Sequence, residues 1–403
     1  MEKFFQNYIS HRCINPHLRV KKRHVAKKIL KLLEMFPVVA LIGARQCGKS
    51  TLAVNLLPDW QYYDLENPND YQLVASDPVA FFSLHDACVV IDEAQEFPDL
   101  FKVLRGVIDD EGRIATVEMA PFKQTEFYDK PLPDLYELIA DNPSISDLRQ
   151  IQAGISMKQS LHIWFRGGFP EPLIEGTSQP DFYRLWMENY IKDYIARDIR
   201  GLFPKLNMHN FRRFLMMLAQ FSGHQLNMSK MAGALEVSVS TVKDYLDIIH
   251  QTFIWRNLDP YVKNPLKKVQ KAKKGFFRDQ GLLHYLLRIQ HIDDLLLHPV
   301  AGFSFESFVI EEIIRGLQAT MAAGFDFSYY RTVDKSEVDL VVEGFSGVLP
   351  IEVKLNSMVK RKELRGLENF ISDMKAELGL VVNRGRSVQM LSEKILQIPV
   401  HYI

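Results

Sequence analysis

A glycine-rich loop near the N-terminus carries the first residues that could do chemistry. Its sequence fits G-x-x-x-x-G-K-[ST], in which backbone N–H groups surround a β-phosphate because glycine lets the chain come close. Lys49 can bridge the β- and γ-phosphates, and the Ser50 hydroxyl can ligate Mg²⁺. We therefore expect a nucleotide site that takes ATP with Mg²⁺. The loop residues are Gly43, Ala44, Arg45, Gln46, Cys47, Gly48, Lys49, Ser50 and Thr51.

Two adjacent carboxylates, Asp92 and Glu93, follow a second apolar segment at residues 87–91. In P-loop enzymes the first carboxylate at such a position holds Mg²⁺ through water, and the second polarises the attacking water. We therefore predict that Asp92 binds the nucleotide's metal ion and that Glu93 is catalytic.

A third set of charged residues lies near the C-terminus, where residues 337–343 and 348–354 read as two strands of a hairpin. If the hairpin is symmetric about its turn, Asp339 lies opposite Glu352. Lys354 then shares their face, because side chains alternate along a strand. Carboxylate oxygens converging on one face are what a site for Mg²⁺ requires.

The elements around the loop are those that a phosphate site needs. Residues 37–42 form an apolar run with β-branched members, which is typical of a buried strand. Residues 51–57 then begin a helix, so that strand, loop and helix follow in the required order. Farther along, residues 305–314 read as an amphipathic helix that carries Glu306.

Composition bounds the remaining possibilities. The chain has 403 residues, with 49 basic and 49 acidic side chains, so nucleic-acid binding must come from local patches. Three cysteines without metal spacing indicate a reducing, cytoplasmic setting. No apolar run is long enough to span a bilayer, and the N-terminus lacks a signal-peptide core, so we expect no membrane partner.

Two segments could contact nucleic acid. Residues 226–258 read as a winged helix-turn-helix, with Ser238 capping a second helix whose apolar positions 239, 242, 245, 246 and 249 face inward. Six lysines between residues 263 and 274 could grip a phosphate backbone or form a solvated linker. The basic run at residues 19–28 is either a solvated helix face or a phosphate-contacting patch.

The motifs together resemble a known family. GARQCGKST, DLENPNDYQLVASDP, VVIDEAQEFPDLFKVLRGVID, WFRGGFPEPL and YIARDI are similar to segments of prokaryotic AAA-type ATP-binding proteins that carry a C-terminal nuclease-like domain of unassigned function. The resemblance covers nearly the whole chain. It implies ATP as ligand, with ring-forming homo-oligomers as one alternative for assembly.

One departure from the family concerns the strand that senses the γ-phosphate. This chain passes from Glu111 directly to Gly112, and the sensor strand is missing. Either residues 114–119 substitute for it or the sheet is defective, so hydrolysis is a separate question from binding. Arg166 and Arg197 are candidates for γ-phosphate contacts, with structural ion pairs as the alternative.

The C-terminal pattern of Asp, then Glu-x-Lys, with a preceding helical Glu, resembles the PD-(D/E)xK nuclease fold. The resemblance implies that Asp339, Glu352 and Glu306 bind Mg²⁺ and that Lys354 is catalytic, orienting the attacking water. A surface hairpin with ordinary salt bridges is the alternative.

We therefore expect an α/β protein in three parts: a P-loop AAA-type domain over residues 1–150, a helical and winged-helix segment over 151–265, and a restriction-endonuclease-like domain over 266–403. The leading function is that of an ATP-binding protein or ATPase coupled to DNA or a DNA-related partner. A metal-dependent nuclease regulated by its P-loop domain, and a non-catalytic nucleotide-dependent interaction protein, are the alternatives.

Overall fold

The computed structural model describes residues 20–84, 88–108, 113–141, 143–194, 199, 203, 206–262, 273–332, 336–344 and 347–403. Strands and helices are mixed along the chain. The strands are β1 (Val38–Ile42), β2 (Gln61–Asp64), β3 (Val89–Asp92), β4 (Ile114–Glu118), β5 (His224–Gln225), β6 (Trp255–Pro260), β7 (Lys274–Phe277), β8 (Asp326–Arg331), β9 (Glu337–Gly344), β10 (Gly347–Lys354), β11 (Gly379–Asn383), β12 (Gln389–Ser392) and β13 (Ile395–Pro399).

The helices alternate with these strands in the first third of the chain and cluster in the middle. They are α1 (Val25–Leu33), α2 (Lys49–Leu56), α3 (Pro68–Ser76), α4 (Pro78–Leu84), α5 (Leu100–Ile108), α6 (Gln124–Phe127), α7 (Leu135–Ala140), α8 (Ile145–Leu148), α9 (Met157–Arg166), α10 (Pro170–Glu175), α11 (Pro180–Asp193), α12 (Met208–Ala219), α13 (Met228–Leu235), α14 (Val239–Gln251), α15 (Gln280–Leu286), α16 (Ile292–Leu297), α17 (Ala301–Ala319) and α18 (Arg365–Met374).

The sheet around the phosphate loop is split in two. β1 pairs in parallel with β4, and β2 pairs in parallel with β3. No strand among the described residues joins the two pairs. β4, which covers the segment expected either to replace the sensor strand or to leave the sheet defective, pairs with β1 and does not reach β3. The defective sheet is therefore the alternative that this pairing supports.

A larger sheet of nine strands runs from the middle of the chain to its end, in the order β12-β13-β11-β10-β9-β8-β6-β7-β5. β6 and β7 are antiparallel partners although the domain boundary expected at residues 265–266 falls between them. The middle and C-terminal parts of the chain thus share one sheet.

The predicted helix pair in the middle segment is present as α13 and α14. The Ser238 side chain accepts a hydrogen bond from the Thr241 N–H, which confirms the predicted cap. Val242, Leu246 and Ile249 are buried as expected, whereas Val239 is 39% exposed, because it is the first residue of its helix and its neighbours do not cover it. The winged-helix class itself stays a prediction.

α17 is buried on nearly every side, and the prediction of an amphipathic helix there was wrong. Its acidic residues Glu306, Glu311 and Glu312 are all buried, as is Arg315. A buried charge is stable only when paired. Each of the three glutamates meets a cation from another part of the chain, and Arg315 pairs with Glu311 one turn earlier on α17.

The largest hydrophobic core spans the molecule from Phe122 to Ile403, and it joins residues of all three expected parts. A smaller core lies under the phosphate loop and includes Val25, Cys47 and Val117. Within the described residues, no helix is both long and apolar enough to cross a membrane.

Candidate functional site

The loop after β1 has the backbone of a phosphate cradle. α2 begins at Lys49, with Gly48 as its N-cap at φ +96°. A Cβ on Gly43 would lie 2.0 Å from the Met119 carbonyl oxygen, so only glycine fits where the loop passes β4. These two glycines let the N–H groups of the loop and the start of α2 point at one anion.

Hydrogen bonds to backbone carbonyls hold two side chains of the loop, Cys47 and Lys49, in place. The Cys47 thiol donates to the Met119 carbonyl at 3.3 Å, and burial raises its pKa. Lys49 Nζ donates to the loop carbonyls of Gly43 and Ala44 at 3.1 and 3.0 Å. An ammonium that bonds only to its own loop can turn toward a phosphate without breaking a tertiary contact.

Ser50, in the first turn of α2, and Asp92, at the end of β3, both approach one hydroxyl group. The Tyr62 hydroxyl donates to Asp92 Oδ2 and also lies in hydrogen-bonding reach of Ser50. Partial burial, and then the Asp92 carboxylate, hold the pKa of Tyr62 above its ordinary value. The two side chains predicted to serve Mg²⁺ thus approach one point, and Tyr62 is a neighbour that the sequence reading missed.

Glu93 stands in a left-handed backbone conformation, at φ +51°, just after β3. Its N–H donates to Asp92 Oδ1 at 3.0 Å, and its carboxylate accepts from the Gln95 amide. A non-glycine residue at positive φ stores strain of about 1 kcal/mol, which is more common at functional sites than elsewhere.

Arg23 is the second residue that the sequence reading missed. It is buried, and its guanidinium donates to the carbonyls of Cys47, at 2.9 Å, and Ala120. Its Nε lies 3.1 Å from the buried Glu126 carboxylate. Arg23 therefore connects the phosphate loop to the chain that follows β4. The basic run at residues 19–28 was expected to be a solvated helix face or a phosphate-contacting patch, and Arg23 fits neither alternative.

The C-terminal hairpin has the predicted symmetric register. Gly344 pairs with Gly347 and Leu340 with Ile351, so the next position places Asp339 opposite Glu352. Asp339 Oδ2 accepts a hydrogen bond from the Val353 N–H at 2.8 Å. The five apolar side chains predicted on the opposite face all belong to the main core. They are Leu340, Val342, Leu349, Ile351 and Val353.

Glu306, Asp339 and Glu352 are close enough to repel one another. Burial first, and then the Asp339 charge, raises the pKa of Glu306 to about 8, and the same two causes raise the pKa of Glu352. Glu352 Oε1 accepts from Lys354 at 2.5 Å, while its other oxygen is buried with no hydrogen-bond partner in the described part of the chain. We call these three residues the carboxylate cluster.

A buried lysine on β7 already supplies a cation to the cluster. Lys274 Nζ lies 2.6 Å from Glu306, 3.1 Å from Glu337 and 3.7 Å from Asp339. Burial alone would lower the pKa of Lys274, but the carboxylates outweigh it and raise the pKa. Across the described residues, no three His, Cys, Asp or Glu side chains are placed to hold a metal ion, and the Lys274 ammonium lies close to Glu306 and Asp339 of the cluster.

An ion-pair network lies between the loop and the cluster. Arg278, just after β7, pairs with Glu118 at the end of β4, and Glu118 stands next to Ile42 in the parallel pair. Arg278 also lies 3.4 Å from Glu311 on α17, which meets Arg256 as well. Lys274 on β7 contacts the cluster, and Arg278, one residue beyond β7, belongs to the network, while α17 carries Glu311 of the network and Glu306 of the cluster.

The remaining candidates are placed as follows. The Arg166 guanidinium lies over the rings of Tyr183 and Phe165, away from the loop residues. Arg197 and the lysines at 263, 267, 268 and 271 lie outside the described residues, as do Glu111 and Gly112. Arg45 lies 3.9 Å from Glu66.

Known families match three parts of the chain. Residues 35–117 match the AAA domain, residues 157–293 match a domain of unknown function (DUF8612), and residues 301–403 match another domain of unknown function (DUF4143). With the loop geometry, the first match defines the class: the N-terminal part is an AAA-type P-loop domain of a mixed α/β protein.

Two curated relatives are similar along nearly the whole chain. Uncharacterized protein Mb2031c of Mycobacterium bovis and uncharacterized protein Rv2008c of Mycobacterium tuberculosis are each 30% identical over 395 residues, covering 95% of this chain and 85% of theirs. The chain belongs to the family of these proteins. Their names carry no activity, and the C-terminal match assigns no nuclease.

Proposed function

We propose that this protein binds ATP with Mg²⁺ at the loop between β1 and α2, and that the bound nucleotide controls how the chain engages a nucleic-acid partner. The supporting observation is that Ser50 and Asp92 both approach the Tyr62 hydroxyl. This hydroxyl lies beside a loop whose backbone requires glycine at positions 43 and 48. Among the described residues, the hydrogen-bond acceptors of Lys49 are carbonyls of its own loop, so its ammonium can turn to bridge two phosphates.

The split sheet favours binding over turnover by the chain alone. In-line attack needs the water and the γ-phosphate held together, and the strand that carries the γ-phosphate sensor has no counterpart in the described part of the chain. Glu93 is the residue that we propose to polarise the attacking water. We infer that hydrolysis is slow unless a partner completes the site.

The nucleic-acid partner is supported by α14, whose exposed residues include Ser240 and Lys243. Opposing it, Asp244 and Asp247 are exposed on the same helix. Lys273 pairs with Asp259 at 3.1 Å and Lys274 is buried, so these two lysines are engaged within the protein.

Phosphate release and bound nucleotide measured together test this function. We expect the parent to hold MgATP near one per chain with turnover slower than one per minute, and Lys49→Ala to lose the binding. Glu93→Gln serves as the matched variant, because it should keep binding and lose the residual turnover. A parent that retains no nucleotide would refute the proposal, and turnover unchanged in Lys49→Ala would trace to a contaminant.

Nucleic-acid cleavage at the carboxylate cluster is a second candidate, favoured by the convergence of Asp339 and Glu352 in the hairpin. Lys274 opposes it, because its ammonium stands where a metal ion would be needed. Cleavage of plasmid DNA with Mn²⁺ by the parent, and its loss in Asp339→Ala, would support this candidate. Cleavage that survives Asp339→Ala would eliminate it.

A further inference from the structure

A cavity in the middle segment is separate from both sites described above. It has a volume of about 500 Å³ and lies among α9, α11, α12 and α15. Its walls include no residue of the phosphate loop and none of the carboxylate cluster. Cavities of this volume hold small organic ligands.

The cavity is lined mainly by positive charge. Arg166, Arg184, Arg212, Arg288 and Lys192 contribute to its wall, against two carboxylates. One of those, Glu188, is engaged by Lys192 at 2.6 Å, and the other is Asp181. Among the described residues, none of the four arginine guanidinium groups lies within hydrogen-bonding or ion-pair distance of a partner, although the charges of Arg184 and Arg212 help to lower the pKa of Glu188. Their N–H groups can therefore donate to an anion in the cavity.

One of these arginines occupies a backbone position that suits glycine. Arg288 follows α15 at φ +60°, where the Ile289 N–H donates to the His284 carbonyl at 2.9 Å and closes the helix. Glycine is the usual residue at such a helix end, because a Cβ is strained there. Within the described part of the chain the Arg288 guanidinium has no hydrogen-bond or ion-pair partner, so an arginine at this backbone position costs stability and contributes its charge to the cavity wall.

Aromatic rings and aliphatic side chains also line the cavity. Arg166 lies 4.5 Å from the centre of the Tyr183 ring, which fixes its guanidinium in place. Phe165 stacks against the His284 ring, and burial lowers the pKa of His284 to about 4, so that ring is neutral. Tyr285 also lines the cavity. Guanidinium groups bind phosphate by paired hydrogen bonds, and aromatic faces stack on bases.

We propose that this cavity binds a nucleoside phosphate, either as a free nucleotide or as one unit of a single strand. The arginines would hold the phosphate, and Tyr285 and Phe165 would border the base. A single cavity of this volume accommodates about one nucleotide. The site is independent of the phosphate loop, so the two can fail separately.

Fluorescence anisotropy with 5′-fluorescein-labelled dT12 tests the proposal, in the full chain carrying Lys49→Ala so that the loop does not contribute. We expect binding that Arg184→Gln/Arg212→Gln weakens at least tenfold, while Arg149→Gln, an exposed arginine on α8's C-terminal side, changes it less than twofold. Competition with unlabelled dTMP identifies the source: displacement indicates a free-nucleotide site, and its absence indicates a strand site.

Arg288→Gly is a control that separates weaker binding from loss of folding. Because glycine suits this backbone, the variant should melt at a higher temperature than the parent and still bind at least fivefold more weakly. The proposal is overturned if neither dT12 nor dTMP binds, or if the double variant and Arg288→Gly bind as tightly as the parent.

Discussion

Single residues at the phosphate loop allow close backbone approach, permit positive φ angles or fix the loop by hydrogen bonds. Gly43 and Gly48 are dictated by close approach and by positive φ, which is why the motif is legible in the sequence. Arg23 is different, because it reaches the loop from a helix N-terminus twenty-four residues upstream. Nothing in its sequence context distinguishes it from the neighbouring basic residues.

Arg23→Met should loosen the loop and destabilise the protein. The substitution removes the donor to Cys47 and Ala120 and leaves the buried Glu126 without its closest cation. We expect a loss of about 3 kcal/mol in the free energy of unfolding by urea. MgATP affinity should fall roughly tenfold, a factor that corresponds to about 1.4 kcal/mol. Lys22→Met, on the exposed side, should change neither; equal effects of the two variants would contradict this role.

Glu311 should impose a pH dependence on stability. Burial alone would raise its pKa, but Arg256, Arg278 and Arg315 lower it to about 2. Since the unfolded chain binds a proton near pH 4.5 and the folded chain does not, stability is lost as pH falls from 4.5 toward 2.

Glu311→Gln should remove this pH-dependent term, which is on the order of 3 kcal/mol. The slope of unfolding free energy between pH 5 and pH 3 is the measurement, and Glu393→Gln, an exposed carboxylate, is the control. An unchanged slope in Glu311→Gln would show that the arginines do not hold this carboxylate ionised.

The elements show where sequence reasoning succeeds and where it stops. Local rules predicted the cap at Ser238 and the register of β9 with β10, because turn chemistry and strand alternation decide them. α17 was predicted as amphipathic because its glutamates read as a polar face. Their partners lie up to 189 residues away, as in the Lys123–Glu312 pair, and no local pattern reports such pairings.

The split sheet is an element-scale feature that the sequence offered as one of two alternatives, because a segment is missing between two strands. In the C-terminal sheet, by contrast, the contact of Lys274 with the carboxylate cluster was not predicted. Lys274 reads as one of a run of solvated lysines. Only the pairing of β7 with β6, and of β6 with β8, brings it there.

Lys274→Met tests whether the Lys274 ammonium stabilises the carboxylates around it. Without it, Glu306, Glu337 and Asp339 lose their shared cation, and we expect a melting temperature at least 5 °C lower, consistent with breaking a buried pair worth about 3 kcal/mol. Addition of Mn²⁺ should then raise the melting temperature of the variant more than that of the parent. Lys273→Met is the matched control, and an equal Mn²⁺ response in all three proteins would argue against a cation site.

At the scale of the whole molecule, an ion-pair network connects the two sites, whereas the loop packs on the smaller core and the hairpin of the carboxylate cluster packs on the main core. The main core runs from Phe122 to Ile403, and the network joins Glu118, beside the loop, to Glu311 on α17. Coupling needs such a contiguous element with two arrangements that both sites bias. We infer that nucleotide binding at the loop changes the dynamics of α17.

Hydrogen exchange should detect this coupling. MgATP is expected to slow amide exchange in α17 in the parent, and Glu118→Gln should abolish that protection while keeping MgATP affinity within about threefold, a change of less than 1 kcal/mol. Protection of α17 that persists in Glu118→Gln would remove the network from the connection.

The central claim is that the loop from Gly43 to Thr51 binds ATP. Calorimetric titration of MgATP into the parent and into Lys49→Ala tests it most directly. The hydrogen bonds of Lys49 in the described part of the chain stay within its own loop, so we expect the variant to keep its fold. We predict one site per chain in the parent, and at least a hundredfold weaker binding in Lys49→Ala. Equal binding by the two proteins, or no heat in either, would contradict the claim.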